Sequence, residues 1–383
     1  MSYTNVSDAL IRAQADALIS TGLADHGYSY VNIDDGWNID QKSKDPALNG
    51  PPRQPNGDVR PNANFPDMKA LTDYLHGKGL KGGIYISPGA RTCGGYEGSL
   101  GHEEQDARLF AAWGFDFLKY DFCSYSEVLK GSKRQEDFKK PYALMGSILK
   151  SLDRDMVFNL CEYGLGDVWE WGREVGGNFW RTSDDVGRGI DGSLWKSMEA
   201  YGFGEAGKEK WAGPGGWNDP DNVLLGQIMW QDKLSPAPLS PDEQYTWMTL
   251  WSMLSAPLVL GSDLTKMDDF TLKLLTNDEV IAVNQDSLGK QAVPIVRAGS
   301  IEIWMKDLED GSKAIAVFNR GDGSGTAVVQ SSDLKISEDW SLRDLWAGKD
   351  LGKVGHSFEL TIPRHGAKML RADPLNLSIQ KRN

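Results

Sequence analysis

Phe115-Asp116-Phe117-Leu118-Lys119-Tyr120-Asp121-Phe122-Cys123 is the stretch whose reading decides the fold. Its first part is mostly apolar and aromatic, the composition of a largely buried strand. Within the next five residues stand a cation, a carboxylate and a thiol. Parallel strands that end in ionisable side chains are where α/β barrels keep their chemistry, at the C-terminal rim. A buried Lys–Asp pair is the bland reading of Lys119 and Asp121. What separates the two readings is recurrence, and the pattern recurs along the chain.

Upstream, Tyr28-Ser29-Tyr30-Val31-Asn32-Ile33 reads as a strand ending in Asp34-Asp35-Gly36-Trp37, and Gly82-Gly83-Ile84-Tyr85-Ile86 as one leading to the glycine-rich loop of Cys93. Downstream, Met156-Val157-Phe158-Asn159-Leu160 ends in Cys161-Glu162, and Asn178-Phe179-Trp180-Arg181 ends in Asp184-Asp185. Trp211-Ala212-Gly213 and Gly216-Trp217-Asn218-Asp219-Pro220-Asp221 follow, and then Pro257-Leu258-Val259-Leu260-Gly261-Ser262. Helical spacing fills the intervals near 67–76, 104–113, 142–152, 167–172, 194–201 and 242–254. Strand–helix alternation with acidic strand ends argues for a (β/α)8 TIM barrel over 1–290.

Seven strands are countable, and the chain opens on a helix over 7–23 with Ser7 as its N-cap. The strand that should precede it is missing. Two unpaired sheet edges would then flank a seam, so upstream sequence carrying a Trp-rich strand, after an export signal, is expected before Met1. Beyond Gln291 the pattern changes to short, partly alternating strands split by turns such as Arg320-Gly321-Asp322-Gly323. That is an antiparallel β domain over 291–383, a sandwich.

The totals exclude several functions. A net charge of −13 with no offsetting basic stripe argues against nucleic acid. No run of about eighteen apolar residues offers a membrane span. Three cysteines (Cys93, Cys123, Cys161) are too few for a disulfide scaffold and badly spaced for zinc. Each falls at or just past a strand end, so one pair meeting at the rim and three buried thiols are both open. The strand ends supply Asp34, Asp35, Lys119, Asp121, Glu162, Arg181, Asp185 and Asp221. No Ser–His or Cys–His arrangement and no phosphate loop is present. Carboxylates in this number fit a Mg²⁺ or Ca²⁺ site or a glycosidase. Lys119 and Arg181 would compete with a metal, whereas Trp37, Tyr85, Tyr120, Tyr163, Trp180 and Trp217 suit stacking on sugar. The glycosidase is the better reading, with no metal and no cofactor.

Asn32-Ile33-Asp34-Asp35-Gly36-Trp37, Gly83-Ile84-Tyr85, Lys119 to Cys123, Cys161-Glu162-Tyr163, Trp180-Arg181-Thr182-Ser183-Asp184-Asp185, Gly213 to Asp221 and Asn284-Gln285-Asp286-Ser287-Leu288-Gly289 together resemble the α-galactosidase / α-N-acetylgalactosaminidase family, glycoside hydrolase family 27. The resemblance implies a retaining exo-α-galactosidase acting on oligosaccharide, polysaccharide or glycoconjugate α-galactosides. Asp121 matches the nucleophile and Asp185 the acid/base, with carboxyl groups expected roughly 5–7 Å apart. Asp34 and Asp35 match the pair holding O4 and O6, Lys119 the residue reaching O3 and O4, and Glu162 and Arg181 contacts around O2 and O3. Trp37, Tyr85 and Asp221 match pocket residues, and Leu165 the residue that crowds a 2-acetamido group. The resemblance further implies a Cys93–Cys123 disulfide with Cys161 free, and hence an extracellular, periplasmic or lysosome-like compartment.

Departures stand beside these matches. Tyr163 replaces a frequent Trp, Gly166 a bulky aromatic in some relatives, Asn222 a frequent Met, and Asp184 a small residue. Rival readings are an α-N-acetylgalactosaminidase, a β-L-arabinopyranosidase or an isomaltose-releasing enzyme on the same scaffold. Beyond these stands a non-catalytic galactoside-binding protein, suggested by the missing strand.

Overall fold

The computed structural model describes residues 6–188, 193–230 and 233–374; Met1 lies outside them. The chain forms two compact units, one of Met1–Asp184, Gly226–Pro236 and Ser262–Met267, the other of Asp185–Leu225, Ala237–Gly261 and Asp268–Asn383.

In the first unit, strands β1 (Tyr30–Asn32), β2 (Lys81–Ile86), β3 (Phe117–Asp121), β4 (Val157–Cys161) and β5 (Phe179–Arg181) lie side by side in chain order. All are parallel, with Tyr30 opposite Lys81, Gly83 opposite Phe117, Phe117 opposite Val157 and Asn159 opposite Phe179. Helices Met68–Gly77, Glu103–Trp113 and Gln135–Lys150 separate successive strands, as parallel crossovers require. Each helix starts where the local chemistry allows it: Asp67 accepts the Ala70 N–H, and Glu103, Glu104 and Asp106 crowd the first turn of the second. The central strand β3 is sealed by Leu118, Tyr120 and Phe117, all buried, and Asp121 closes it opposite Cys161.

The opening helix, Asp8–Ser20, is capped by Ser7, whose Oγ accepts the Leu10 N–H. Its Gln14 donates to Asp263 Oδ1 at 2.9 Å and accepts the Leu264 N–H at 2.8 Å, tying the helix to the Ser262–Met267 segment.

Strand β6 (Trp217–Asp219) belongs to the second unit, and β7 (Gln227–Trp230) with β8 (Lys233–Pro236) forms an antiparallel hairpin in the first. The hairpin is not foreseen in the sequence reading. The strand expected over 257–262 is reduced to two isolated bridges: Leu260 parallel with Val223, held by Val223 N–H to Val259 O and Gly261 N–H to Val223 O, and Ser262 antiparallel with Ile228. Pro257 has no N–H to give, which shortens the ladder. Gly213 and Gly216 exchange two backbone hydrogen bonds, so Trp211-Ala212-Gly213 runs into a tight turn and not a strand.

The rest of the second unit is antiparallel. Strands β9 (Val293–Ala298), β10 (Ile301–Asp307), β11 (Lys313–Asn319), β12 (Gly325–Gln330), β13 (Ser341–Asp344), β14 (Lys349–Lys353), β15 (Ser357–Ile362) and β16 (Ala367–Asp373) form two sheets. Their orders are β14-β13-β16-β11-β10-β9 and β12-β15. Period-two alternation sends Ile303, Ile315, Val317, Leu342 and Leu370 of the larger sheet against Ala327, Val329 and Ile362 of the smaller. Each fully buried Val, Leu or Ile contributes about 1.5–3 kcal/mol.

Candidate active site

The site residues of the first unit come from the ends of β1 to β5 and the segments that follow. Asp121 ends β3 almost fully buried. Lys119, two residues earlier and therefore on the same side of the pleat, brings its Nζ to 3.9 Å from Asp121 Oδ2, 3.2 Å from Asp34 Oδ2 and 5.1 Å from the Tyr85 ring centroid. Desolvation works against the Lys119 charge, yet Asp34 and Asp121 raise its pKa well above the ordinary value. Asp34 is 60 % exposed at its side chain. Desolvation pushes its pKa up, but Lys119 and the Asp35 N–H outweigh that and hold it below the usual carboxylate range. The structure therefore joins Asp34, Lys119 and Asp121 into one charged cluster, with Asp34 open to solvent and Asp121 covered.

Asp35 is its opposite. It is buried and accepts the Gly36 and Gly94 N–H groups at 2.9 and 2.6 Å, and burial pushes its pKa up to about 6. By gripping Gly94 it also fixes the loop of Cys93.

Cys93 and Cys123 are joined by a disulfide, and Cys161 is a buried thiol outside it. The sulfurs sit against the β3 carboxylate, Cys123 Sγ lying 3.3 Å from Asp121 Oδ1. These two sulfurs and Asp121 make the only three-residue cluster of metal-ligand type among the described residues. Tied in a disulfide, the sulfurs offer it no thiolate. Tyr85 donates its hydroxyl to Cys123 Sγ at 3.2 Å.

Trp37 is placed differently from the pocket position its resemblance implied. It is 1 % exposed, donates its indole N–H to Tyr85 O at 2.7 Å, and packs edge-on against Phe110 and Trp113 of helix Glu103–Trp113. Its contacts are those of a packing residue. Glu162 has no exposed surface at all. Its Oε1 accepts the Gly164 N–H at 3.0 Å, its Oε2 is without a hydrogen-bond partner, and burial raises its pKa well above the usual carboxylate value. Leu165, 42 % exposed, stands on the surface of the turn that follows Glu162. Arg181 is buried, with its guanidinium 3.6 Å from Cys161 Sγ and 5.9 Å from the Tyr163 ring centroid.

Tyr163, read in the sequence as an aromatic for sugar stacking and not as a partner of the nucleophile, donates its hydroxyl to Asp121 Oδ1. The signal was its place beside Glu162 and before a glycine, with Trp expected there.

In the second unit Asp185 is half-buried, and Asp184, closing the first, is exposed. Asp221 is buried with φ +92°, a left-handed backbone rare outside glycine. Its carboxylate accepts the Val186 N–H at 2.8 Å, and Trp251 donates its indole N–H to Asp221 O at 2.9 Å. Asp221 thus holds the backbone immediately after Asp185.

Residues 2–286 match the family model described as Alpha galactosidase A, and residues 298–372 match the Alpha galactosidase C-terminal beta sandwich domain. The α-galactosidase of Cyamopsis tetragonoloba is 36 % identical over 97 % of this chain and 83 % of its own length. The crystal structure of α-galactosidase I from Mortierella vinacea superposes with a TM-score of 0.84 at 30 % identity, covering 96 % of this chain and 93 % of that one. A GH27 β-L-arabinopyranosidase from Geobacillus stearothermophilus superposes at 0.82 with 25 % identity, over 97 % of this chain and 94 % of that one. The fold is a (β/α)8 TIM barrel followed by an antiparallel β-sandwich. The chain therefore belongs to the α-galactosidase family, glycoside hydrolase family 27.

Proposed function

We propose that this chain is a retaining exo-α-galactosidase that removes terminal α-D-galactosyl residues by double displacement. Its catalytic barrel spans 1–290 and its β domain 291–383. Asp121 attacks the anomeric carbon while Asp185 gives its proton to the leaving oxygen; Asp185 then takes a proton from water, which releases galactose from Asp121. Lys119, Asp34 and Asp35 hold the hydroxyls at O3, O4 and O6, with Tyr85 and Arg181 in the pocket wall. Leu165 crowds the 2-substituent, and Glu162 acts from beneath by bracing the turn that carries Tyr163 and Leu165. Asp221 positions the Asp185 segment through Val186.

The observation that carries this reading is the setting of Asp121: a covered carboxylate at a strand end, facing a lysine ammonium and a tyrosine hydroxyl. The lysine keeps it ionised for attack, and a carboxylate-rich pocket stabilises the oxocarbenium-like transition state. The Cys93–Cys123 disulfide supports an oxidising compartment, and no helix among the described residues is long and apolar enough to cross a membrane. The test is a screen of aryl α- and β-glycosides. Preferential release from the α-galactoside is the expected result. Faster release from the β-L-arabinopyranoside or the α-N-acetylgalactosaminide would replace the sugar assignment, and binding of galactose without turnover of any glycoside would replace the enzyme.

A further inference from the structure

We propose that Tyr163 is a positioning residue for the reaction, its phenol holding one oxygen of Asp121 so that the other is presented to the anomeric carbon. This rests on the reading of Asp121 as the nucleophile. The Tyr163 hydroxyl reaches Asp121 Oδ1 and also lies 3.2 Å from Cys93 Sγ. A phenol has one hydrogen to donate, and a carboxylate is a far stronger acceptor than a disulfide sulfur. The sulfurs therefore box the ring in while the hydrogen goes to Asp121. The two oxygens of Asp121 are thereby made unequal, Oδ1 bound to the phenol and Oδ2 3.9 Å from Lys119 Nζ. Attack through Oδ2 leaves Oδ1 as the carbonyl of the glycosyl ester. The phenol still donates to it there, and its bond strengthens again as the carboxylate departs in the second step.

The backbone that places this hydroxyl is unusual. Tyr163 has φ +61° and Gly164 φ +79°, two successive left-handed residues of which one is aromatic. Gly164 tolerates no side chain, since a Cβ there would stand 2.5 Å from Thr182 O. Glu162 closes the turn from below, accepting the Gly164 N–H on its carboxyl and the Leu165 N–H on its carbonyl at 3.1 Å.

Tyr163→Phe removes the hydroxyl and keeps the ring. Two readouts are measured: kcat and KM on aryl α-galactosides across pH, and the ¹³C carboxyl NMR titration of ligand-free Asp121, assigned with Asp121→Asn. The expected result is a loss of about 10- to 100-fold in kcat/KM, the range for one hydrogen bond to a charged group. The loss falls in kcat more than KM, and the acidic limb and the Asp121 titration both move to higher pH with Tm nearly unchanged. If the variant is unstable, 3,5-difluorotyrosine at 163 replaces it; a more acidic donor must move both titrations to lower pH. An unmoved limb and an unmoved Asp121 titration would overturn the proposal and leave the ring as mere filling. If the wild-type chain cleaves no glycoside, the functional reading falls, and the NMR titration still decides the role of Tyr163.

Discussion

Lys306, on β10, offers the sharpest stability prediction. It is 4 % exposed, and its Nζ donates to Ser252 O at 2.9 Å and to Ser255 Oγ at 2.7 Å, at the C-terminal end of helix Pro241–Leu254. Burial pushes its pKa down to about 7 from 10.5, with Asp286 pulling weakly the other way. Between those values the unfolded chain binds more protons than the native one, so stability rises with pH through that window. The cost is full below pH 7 and gone above about 10.5. At 1.36 kcal/mol per pH unit the difference amounts to about 4–5 kcal/mol as an upper bound. Lys306→Met removes the amine and keeps most of the volume. It orphans nothing: Ser252 O retains the Ser255 N–H at 3.2 Å, and Ser255 Oγ still donates to Lys290 O at 3.1 Å. Urea unfolding followed by tryptophan fluorescence, from pH 6 to 10, should therefore find the Met variant more stable by several kcal/mol at pH 6, with the advantage shrinking steadily on the alkaline side. A difference that does not vary with pH, or a wild-type chain that is the more stable at pH 6, would refute the reasoning.

Other outcomes follow from the site. Gly164→Ala, at φ +79° with Thr182 O in the way of its Cβ, should cost about 1–2 kcal/mol from the left-handed backbone alone and lower kcat by misplacing Tyr163; Tm and kcat together check it. Leu165→Ala should raise kcat/KM for the α-N-acetylgalactosaminide relative to the galactoside by about tenfold, since opening a pocket by a few methylenes is worth about 1–3 kcal/mol. Asp121→Asn should abolish turnover of every substrate. Asp185→Asn should spare the first step for aryl galactosides whose leaving group needs no proton, visible as a burst of phenol in stopped-flow.

The fold was legible where burial dictates composition. Strand β3 is an apolar run because it is covered on both faces, and β10, β11 and β16 show themselves by the same pressure. Strand β14 (Lys349–Lys353) is exposed at every residue and carries no hydrophobic pattern to read, while β9 is half-buried and holds Pro294, which argues against a strand in sequence. The 257–262 segment looked like a strand from its Leu-Val-Leu core, but those residues are only half-buried and the segment makes isolated bridges in place of a ladder.

At the site, acidic residues at strand ends could be picked out because the barrel topology leaves such ends on the rim. What a loop does after its strand could not. Trp37 stands two residues beyond Asp35, yet the chain turns its indole onto Phe110 and Trp113. Tyr163 points at Asp121 only because two successive residues take left-handed backbone, and Gly164 alone hints at that. The buried state of Glu162 likewise depends on that turn and on no periodicity.

The most direct test of a retaining α-galactosidase is proton NMR of the hydrolysis of an aryl α-galactoside, recorded before mutarotation. Double displacement through Asp121 predicts α-galactose as the first-formed product; β-galactose appearing first would contradict it.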